Sequence, residues 1–382
     1  MTVAIVGVGE TEPRWQDPRP VRELVTDAVR RALADAGLDG ADVDGVATEA
    51  YAMVSQAPPD EVGRAIGMID RRFSGHTSLA GAGSVGAVQL AASAIDAGLA
   101  SVVISYYGIS LSTTAGGVYA VHAHEPAKAN LEMPFGFYGQ PVYFAAIAQR
   151  YAHDYGLAPE ELGSIAVSAR AFAEMTPGAL RREPLDIEGY LANPVVADPL
   201  RKLDCCLMND GAAAFVLTSV ERARDLRQAP VVVAGTGFGT RPLTQATYFS
   251  QNADYTTLPS AVSGPRAFAA AGLGPEDVDV AELYDCFSMS TIMQLEDLGF
   301  AARGEGARFA ATGAIGPKGS LPVNTHGGLL CHSYTVGAGH VVEAVRQLRG
   351  TRGDAQVDGA EVALVSGLGA MDHATVILTT DR

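Results

Sequence analysis

The run from Gly83 through Val85, Ala87, Ala91 and Ile95 to Ala97 is apolar on nearly every side and built mostly from small residues. A surface helix shows one apolar stripe, so even apolarity marks a helix buried all round. Small side chains let its neighbours approach closely. Gly98 closes the run, and Val102 to Tyr106 follows as a continuous apolar strand. Such a helix beside such a strand calls for a largely parallel sheet covered on its faces.

The rest of the chain repeats this alternation. Val3 to Val8 reads as a strand, and Val21 to Ala36 as a helix with Val21, Leu24, Val25, Ala28, Val29 and Leu33 on one face. Gly37 is its C′ glycine, and Val43 to Ala47 is a further strand. Between about 113 and 200 the pattern loosens into Gly, Pro, His and aromatic residues, with helices expected over Val142–Tyr155 and Pro159–Ala173. This stretch reads as an insertion capping the core. Asp210 to Leu217 returns to a buried strand, and Val231 to Gly235 opens a second series. That series predicts helices over Pro265–Ala271, Ser288–Leu298 and Gly337–Leu348, a strand over Val278–Leu283, and a closing hairpin of Glu361–Ser366 with Ala374–Thr379. At 382 residues the chain suits two domains. We expect an α/β protein divided into residues 1–225, which hold the insertion, and 226–382.

A net charge of −16 repels phosphate backbones, so nucleic acid is not an expected partner. The four cysteines, Cys205, Cys206, Cys286 and Cys331, make no C-x-x-C pair, so no metal is expected, and scattered thiols suit a reducing cytoplasm. The N-terminal residues read as a strand, without the basic region of a signal peptide. No apolar run reaches the roughly 18–20 residues that a membrane helix needs.

Several motifs carry a family likeness. Asn324-Thr325-His326-Gly327-Gly328 through His332 to Gly337-Ala338-Gly339-His340 resembles the thiolase-superfamily stretch N-x-x-G-G-x-x-x-G-H-P-x-G-x-x-G, with His332 read as its histidine. Ala87, Ala91, Ile95 and Gly98 resemble C-x-S-G-x-x-A-x-x-x-A-x-x-x-I-x-x-G, which sets Gly81 at the place of the nucleophilic cysteine. Tyr284-Asp285-Cys286-Phe287 resembles the H-D-C-F motif of sterol-carrier-type thiolases, with tyrosine for histidine. Ser366-Gly367-Leu368-Gly369 stands where other thiolases carry C-x-G. Asp204-Cys205-Cys206 through Asp210-Gly211-Ala212 completes the likeness.

The resemblance implies a five-layer αβαβα fold of two duplicated βαβαβαββ halves. It is nearest to the bacterial steroid side-chain aldolases of the superfamily and their lipid-transfer-protein-like subgroup. Those enzymes split a β-hydroxyacyl-CoA by retro-aldol cleavage, here a 17-hydroxy C22 steroid-CoA, giving a ketosteroid and propionyl-CoA. Coenzyme A enters only as part of the substrate, with no tightly bound cofactor. A homodimer and a small partner with an OB-fold and zinc ribbon are also implied.

Gly81 cannot carry an acyl group, but retro-aldol cleavage needs no covalent intermediate. It needs a base for the β-hydroxyl and stabilisation, then protonation, of the thioester enolate. His332 is expected to donate to the thioester oxygen, Tyr284 to act as base and Tyr334 to protonate the enolate. The exchange of the two tyrosine roles fits equally well. Cys286 is a further acid/base candidate. Gly81, His76, Asp285, Asn324 and Ser366 are candidates for the pocket. Two other readings stand beside this one: a Claisen thiolase using Cys286 or Cys331, and an inactive acyl-CoA or lipid-binding subunit.

Overall fold

The computed structural model describes residues 3–49, 57–78, 80–111, 126, 128–240, 254–369 and 371–381. Residues 112–125 and 127, in the early part of the expected insertion, lie outside it. The first half runs β1 (Val3–Glu10), α1 (Val21–Ala36), β2 (Gly45–Glu49), α2 (Pro59–Ile66), β3 (Phe73–Thr77), α3 (Ala80–Asp96) and β4 (Val102–Ser110). The insertion follows, with α4 (Gln140–Tyr155), α5 (Pro159–Glu174) and a small hairpin of β5 (Val195–Ala197) and β6 (Leu200–Arg201). β7 (Asp210–Ser219) closes this half. The second half runs β8 (Val231–Thr240), α6 (Ser260–Ala271), β9 (Val280–Glu282), α7 (Ser288–Asp297), α8 (Val336–Leu348), β10 (Val362–Leu368) and β11 (Asp372–Thr380).

Strand order shows the duplication. The nine strands run β3-β2-β4-β7-β1-β8-β11-β10-β9. The first five form one unit, whose strand pairing with the second is short, Ala4 opposite Val232 and Ile5 opposite Val231. Read inward from its edge, the second unit is β9-β10-β11-β8. A lone parallel bridge from Ala281 to Val323 stands beyond β9, at the place β3 holds beyond β2. In both units the edge pairs are parallel and the inner pairs antiparallel.

The helices make the layers. α1 lies on β1, β4 and β7, and α6 lies on β8 and β11. α3 touches β2 and β4 on one side and β10 and β11 on the other, and it runs against α8. α3 and α8 therefore form a central layer between two sheets, with α1 and α6 outside, as the five-layer fold requires. This is why α3 lacks a polar face. α1, with one side in solvent, keeps the expected stripe: Leu24, Val25, Ala28, Val29 and Leu33 are buried, and Gly37 ends it at φ +76°.

Three expectations shift. α6 begins five residues before Pro265, because Asp297 takes the Leu258 N–H at 2.8 Å and the Ser260 hydroxyl at 2.6 Å and so holds its first turn. The strand expected over Val278–Leu283 is only Val280–Glu282. α2 and β3 were not read from sequence. β3 is a half-buried edge strand whose Phe-Ser-Gly-His-Thr composition has no strand signature. Among the described residues no helix is long and apolar enough to cross a membrane.

Candidate active site

The site is built around a missing side chain. A Cβ on Gly81, near the start of α3, would lie 2.1 Å from Tyr284 Cε2 and 2.3 Å from Cδ2. The ring of Tyr284, 2% exposed, fills the space next to the backbone where a side chain at position 81 would project. Gly337 and Gly367 close the other sides: a Cβ on them would lie 2.8 and 2.0 Å from the Gly81 carbonyl oxygen. The motifs at 81, 284, 337 and 366 thus meet at one point.

Tyr334 hydrogen-bonds to Tyr284 through the phenols. Burial pushes both far above the ordinary value, although Tyr334 keeps part of its surface open. Two phenols in contact share one proton-transfer unit, in which either ring can serve as donor to the other. Cys206 and Cys286 stand within electrostatic reach of both phenols. Burial pushes the Cys286 thiol up to about 12 and the Cys206 thiol well above its ordinary value. A thiol so placed is protonated at neutral pH and a poor nucleophile. Cys331 is buried with its sulfur 3.4 Å from Arg170 Nε, and burial raises it as well.

Both tyrosines are held by their backbones. The Tyr284 N–H donates to Ser366 Oγ at 3.0 Å, and its carbonyl accepts from Gln294 Nε2 at 2.8 Å and Ser290 Oγ at 3.0 Å. Ser366 Oγ donates in turn to Gln294 Oε1 at 2.6 Å. His373 Nε2 donates to the same oxygen at 3.1 Å, while Ser263 Oγ lies 2.6 Å from His373 Nδ1. One amide side chain therefore clamps both peptide groups of Tyr284, and Ser366 serves that clamp from a fully buried position. The Tyr334 N–H donates to Asn209 Oδ1 at 2.7 Å.

Asp285 is buried behind the pair. It accepts from the Leu329 and Leu330 N–H groups at 2.8 and 3.3 Å, and its Oδ1 lies 3.2 Å from His340 Nε2. His340 Nδ1 faces the Val336 carbonyl at 3.1 Å and Nε2 the Leu283 carbonyl at 3.1 Å. Carbonyls only accept, so both nitrogens carry protons. Burial pulls His340 down, but Asp285, the Glu282 charge and the Val336 carbonyl together outweigh it and raise the net value. Its ring lies against Tyr284 with centroids 6.2 Å apart.

Three sequence expectations go elsewhere. His332 is turned away: its described ring contacts are Glu10 Oε2, 3.2 Å from Nε2, and the His326 ring. With Nε2–H committed to a carboxylate and Nδ1 buried without a hydrogen-bond partner, it is not placed to donate to a thioester beside the tyrosines. Tyr334, not His332, stands three residues before Gly337, which is the H-to-G spacing of G-H-P-x-G. That spacing was the available signal. Asn324 spends its Oδ1 on the Leu283 N–H at 2.7 Å, which is a loop-shaping role. His76 is exposed on edge strand β3.

Two groups were missed from sequence. Glu49, at the end of β2, is 6% exposed and acts electrostatically on Tyr334 and on Tyr107 of β4. Glu282, His326 and Glu343 put ligand atoms within 4.8 Å of one another and are the trio among the described residues that could hold a metal ion. Arg352, 2.8 Å from Glu343, already supplies positive charge there and holds Glu343 low against burial, while burial raises Glu282 and keeps a proton on it.

A thiolase sandwich whose residue at the expected nucleophile position is a glycine covered by a tyrosine ring has no side chain there to carry an acyl group. Comparisons with known proteins agree. Residues 243–380 match the family model described as Thiolase C-terminal domain-like. The chain is 37% identical over 384 residues to the 17-hydroxy-3-oxo-4-pregnene-20-carboxyl-CoA lyase of Mycobacterium tuberculosis, covering 98% of each. It is 35% identical to the steroid side-chain-cleaving aldolase of Thermomonospora curvata, covering 99% of this chain and 98% of that one. The solved Ltp2–ChsH2(DUF35) aldolase superposes with a TM-score of 0.91 at 34% identity, covering 100% and 98% of the two chains. The chain belongs to the thiolase superfamily, in the branch that holds the steroid side-chain-cleaving aldolases.

Proposed function

We propose that this chain cleaves the Cα–Cβ bond of a 17-hydroxy C22 steroid-CoA by a retro-aldol reaction, releasing a 17-ketosteroid and propionyl-CoA. The observation that carries the proposal is the Tyr284 ring seated on Gly81 and hydrogen-bonded to Tyr334. The names of the two relatives, a steroid-CoA lyase and a side-chain-cleaving aldolase, support the substrate class. The pair supplies the base for the β-hydroxyl and the proton donor to the enolate: Tyr284 as base and Tyr334 as donor, or the same two roles exchanged. Cys286 is left as a wall of the pocket.

The 113–200 insertion caps the site in this reading. Phe144 of α4 stacks on Phe287 with centroids 4.4 Å apart, which ties the insertion to the Tyr284 loop. The chain works as a homodimer with a small OB-fold and zinc-ribbon partner. The Ltp2–ChsH2 aldolase, whose name joins two proteins, supports the partner.

The test is an end-point mass-spectrometric assay on 17-hydroxy-3-oxo-4-pregnene-20-carboxyl-CoA, with and without the partner. Ketosteroid and propionyl-CoA should appear in equal amounts. Tyr284→Phe and Tyr334→Phe should each lower turnover by about 10²–10⁴-fold, the range of a lost acid or base. Cleavage that survives both substitutions refutes the tyrosine roles. A covalent acyl mass on the protein would restore the Claisen reading.

A further inference from the structure

Val336 holds a backbone conformation that a β-branched residue rarely adopts. Its φ is +42°, in the left-handed region, at the first position of α8 and two residues after Tyr334. The left-handed region crowds the Cβ of an L residue, so it persists only where the surroundings impose it. Those surroundings are fixed on both sides. Towards Tyr334, the Tyr334 N–H donates to Asn209 Oδ1 at 2.7 Å, and Asn209 Nδ2 donates to Ser333 Oγ at 3.1 Å. Towards α8, a Cβ on Gly337 would lie 2.5 Å from Val85 Cγ2 and 2.8 Å from the Gly81 carbonyl oxygen, so the turn is pressed onto α3. The Val336 carbonyl itself accepts from His340 Nδ1 at 3.1 Å. The other nitrogen of that ring, Nε2, donates to the carbonyl of Leu283, the residue before Tyr284, at 3.1 Å. Asn324 Oδ1 holds the N–H of the same Leu283 at 2.7 Å. The His340 ring is fully buried, with Asp285 Oδ1 3.2 Å from Nε2. One planar ring therefore spans the two loops that carry the two phenols.

We propose that His340 is a positioning residue of the cleavage: it ties the Tyr284 loop to the strained Val336 turn and so sets the contact between the two phenols. This rests on the tyrosine-pair reading above. A hydrogen bond between two hydroxyl oxygens needs a separation of about 2.5–3.0 Å, which leaves little room for either loop to drift. An imidazole ring with both nitrogens protonated carries two N–H donors in one rigid plane, so it fixes the separation of two acceptors. The strain at Val336 gives the turn a direction in which to relax once the ring is gone, and that relaxation turns the chain two residues from Tyr334. His340 lies behind the Tyr284 ring, with centroids 6.2 Å apart, and takes no proton in the reaction. Its part is to hold the phenols where proton transfer between them and the substrate is possible.

The experiment measures kcat and KM for His340→Gln, alone and combined with Tyr334→Phe, in the complex in which the natural chain is active. Glutamine offers a single amide nitrogen on a flexible stem and cannot span both carbonyls. His340→Gln should lower kcat by about 10–10²-fold, the scale of an ångström-sized misplacement. KM should move by less than about threefold, since lost alignment acts in the transition state. In the Tyr334→Phe background no phenol contact is left to set, so the same substitution should lower kcat by less than about threefold. A residue that only supports the fold lowers both backgrounds by the same factor, and that result overturns the proposal. Unchanged kcat in a folded His340→Gln chain overturns it as well. If Tyr334→Phe alone keeps natural turnover, the tyrosine reading fails and this inference falls with it, a result recognised without any His340 variant. Should His340→Gln not fold, Val336→Gly decides, because glycine holds a positive φ without strain and frees the turn. A loss of kcat that disappears in the Tyr334→Phe background supports the positioning role, and equal losses or none overturn it.

Discussion

Gly81→Ala tests the central geometric claim. The new methyl would lie 2.1 Å from Tyr284 Cε2, 2.3 Å from Cδ2 and 2.9 Å from Cζ. Carbon atoms pack at about 3.5–4.0 Å, so the ring must retreat by about 1.5 Å. It cannot move as a body, because Ser366, Gln294 and Ser290 hold its backbone on both sides. It must turn off its rotamer within a full core. Overpacking costs about 1–3 kcal/mol and an off-rotamer torsion about 0.5–1.5 kcal/mol. Against these, alanine in place of a helical glycine contributes about 0.5–1 kcal/mol. The net expectation is a loss of about 0.5–4 kcal/mol, read as a lowered urea midpoint at unchanged slope. Turnover should fall by more than stability does, because the phenol leaves its partner. The sign should reverse in the Tyr284→Ala background, where the same methyl enters vacated space and only the helix gain remains. The coupling between the two substitutions should therefore fall in the upper part of the range of about 0.5–3 kcal/mol seen for contacting residues. Additive effects, or a Gly81→Ala chain with natural stability and turnover, would refute the claim that Tyr284 occupies the nucleophile's place.

Gln294→Met should remove the clamp, leaving the Tyr284 carbonyl one donor short and Ser366 without its acceptor; a buried group stripped of its partner costs about 1–3 kcal/mol, measurable by urea unfolding. Burial pushes His373 down to about 3 from an ordinary value near 6.5, so its share of stability is whole above about pH 6.5 and is lost as pH falls, by up to about 1.4 kcal/mol per unit. Urea midpoints should therefore drop between about pH 7.5 and pH 5, less steeply in His373→Asn; equal slopes in the two proteins would contradict a neutral His373. His326, also held well below its ordinary value by burial, acts in the same direction. With Cys205 and Cys286 pushed up to about 12, and Cys206 and Cys331 raised as well, iodoacetamide at neutral pH should label the folded chain far more slowly than a free thiol of pKa about 8.5. Rapid labelling of Cys286 would reopen the acyl-transfer reading.

The organisation into two α/β halves was legible in the chain because burial leaves a periodic trace, and the layering came from the family likeness. α1 kept one apolar stripe and α3 kept none, and the structure gives the first one sheet to cover and the second two. The absence of a nucleophile was equally legible, since it follows from Gly81 alone. The membership of Tyr284 and Tyr334 in the site came from local motifs, each read against the family pattern. The part played by His332 did not come through, because a ring one turn away in sequence can point to either side of a loop, and here Glu10 on β1 holds it. Gln294 was invisible for a like reason: nothing near it in sequence marks chemistry, and only the packing of α7 against the Tyr284 loop gives it a role. Sequence by itself determined most of the helices and inner strands and which side chain is missing, because periodicity and residue type are local properties. Which side chain fills the gap and what holds the two tyrosines in place were decided by tertiary structure, because contact and burial belong to residues brought together from across the chain.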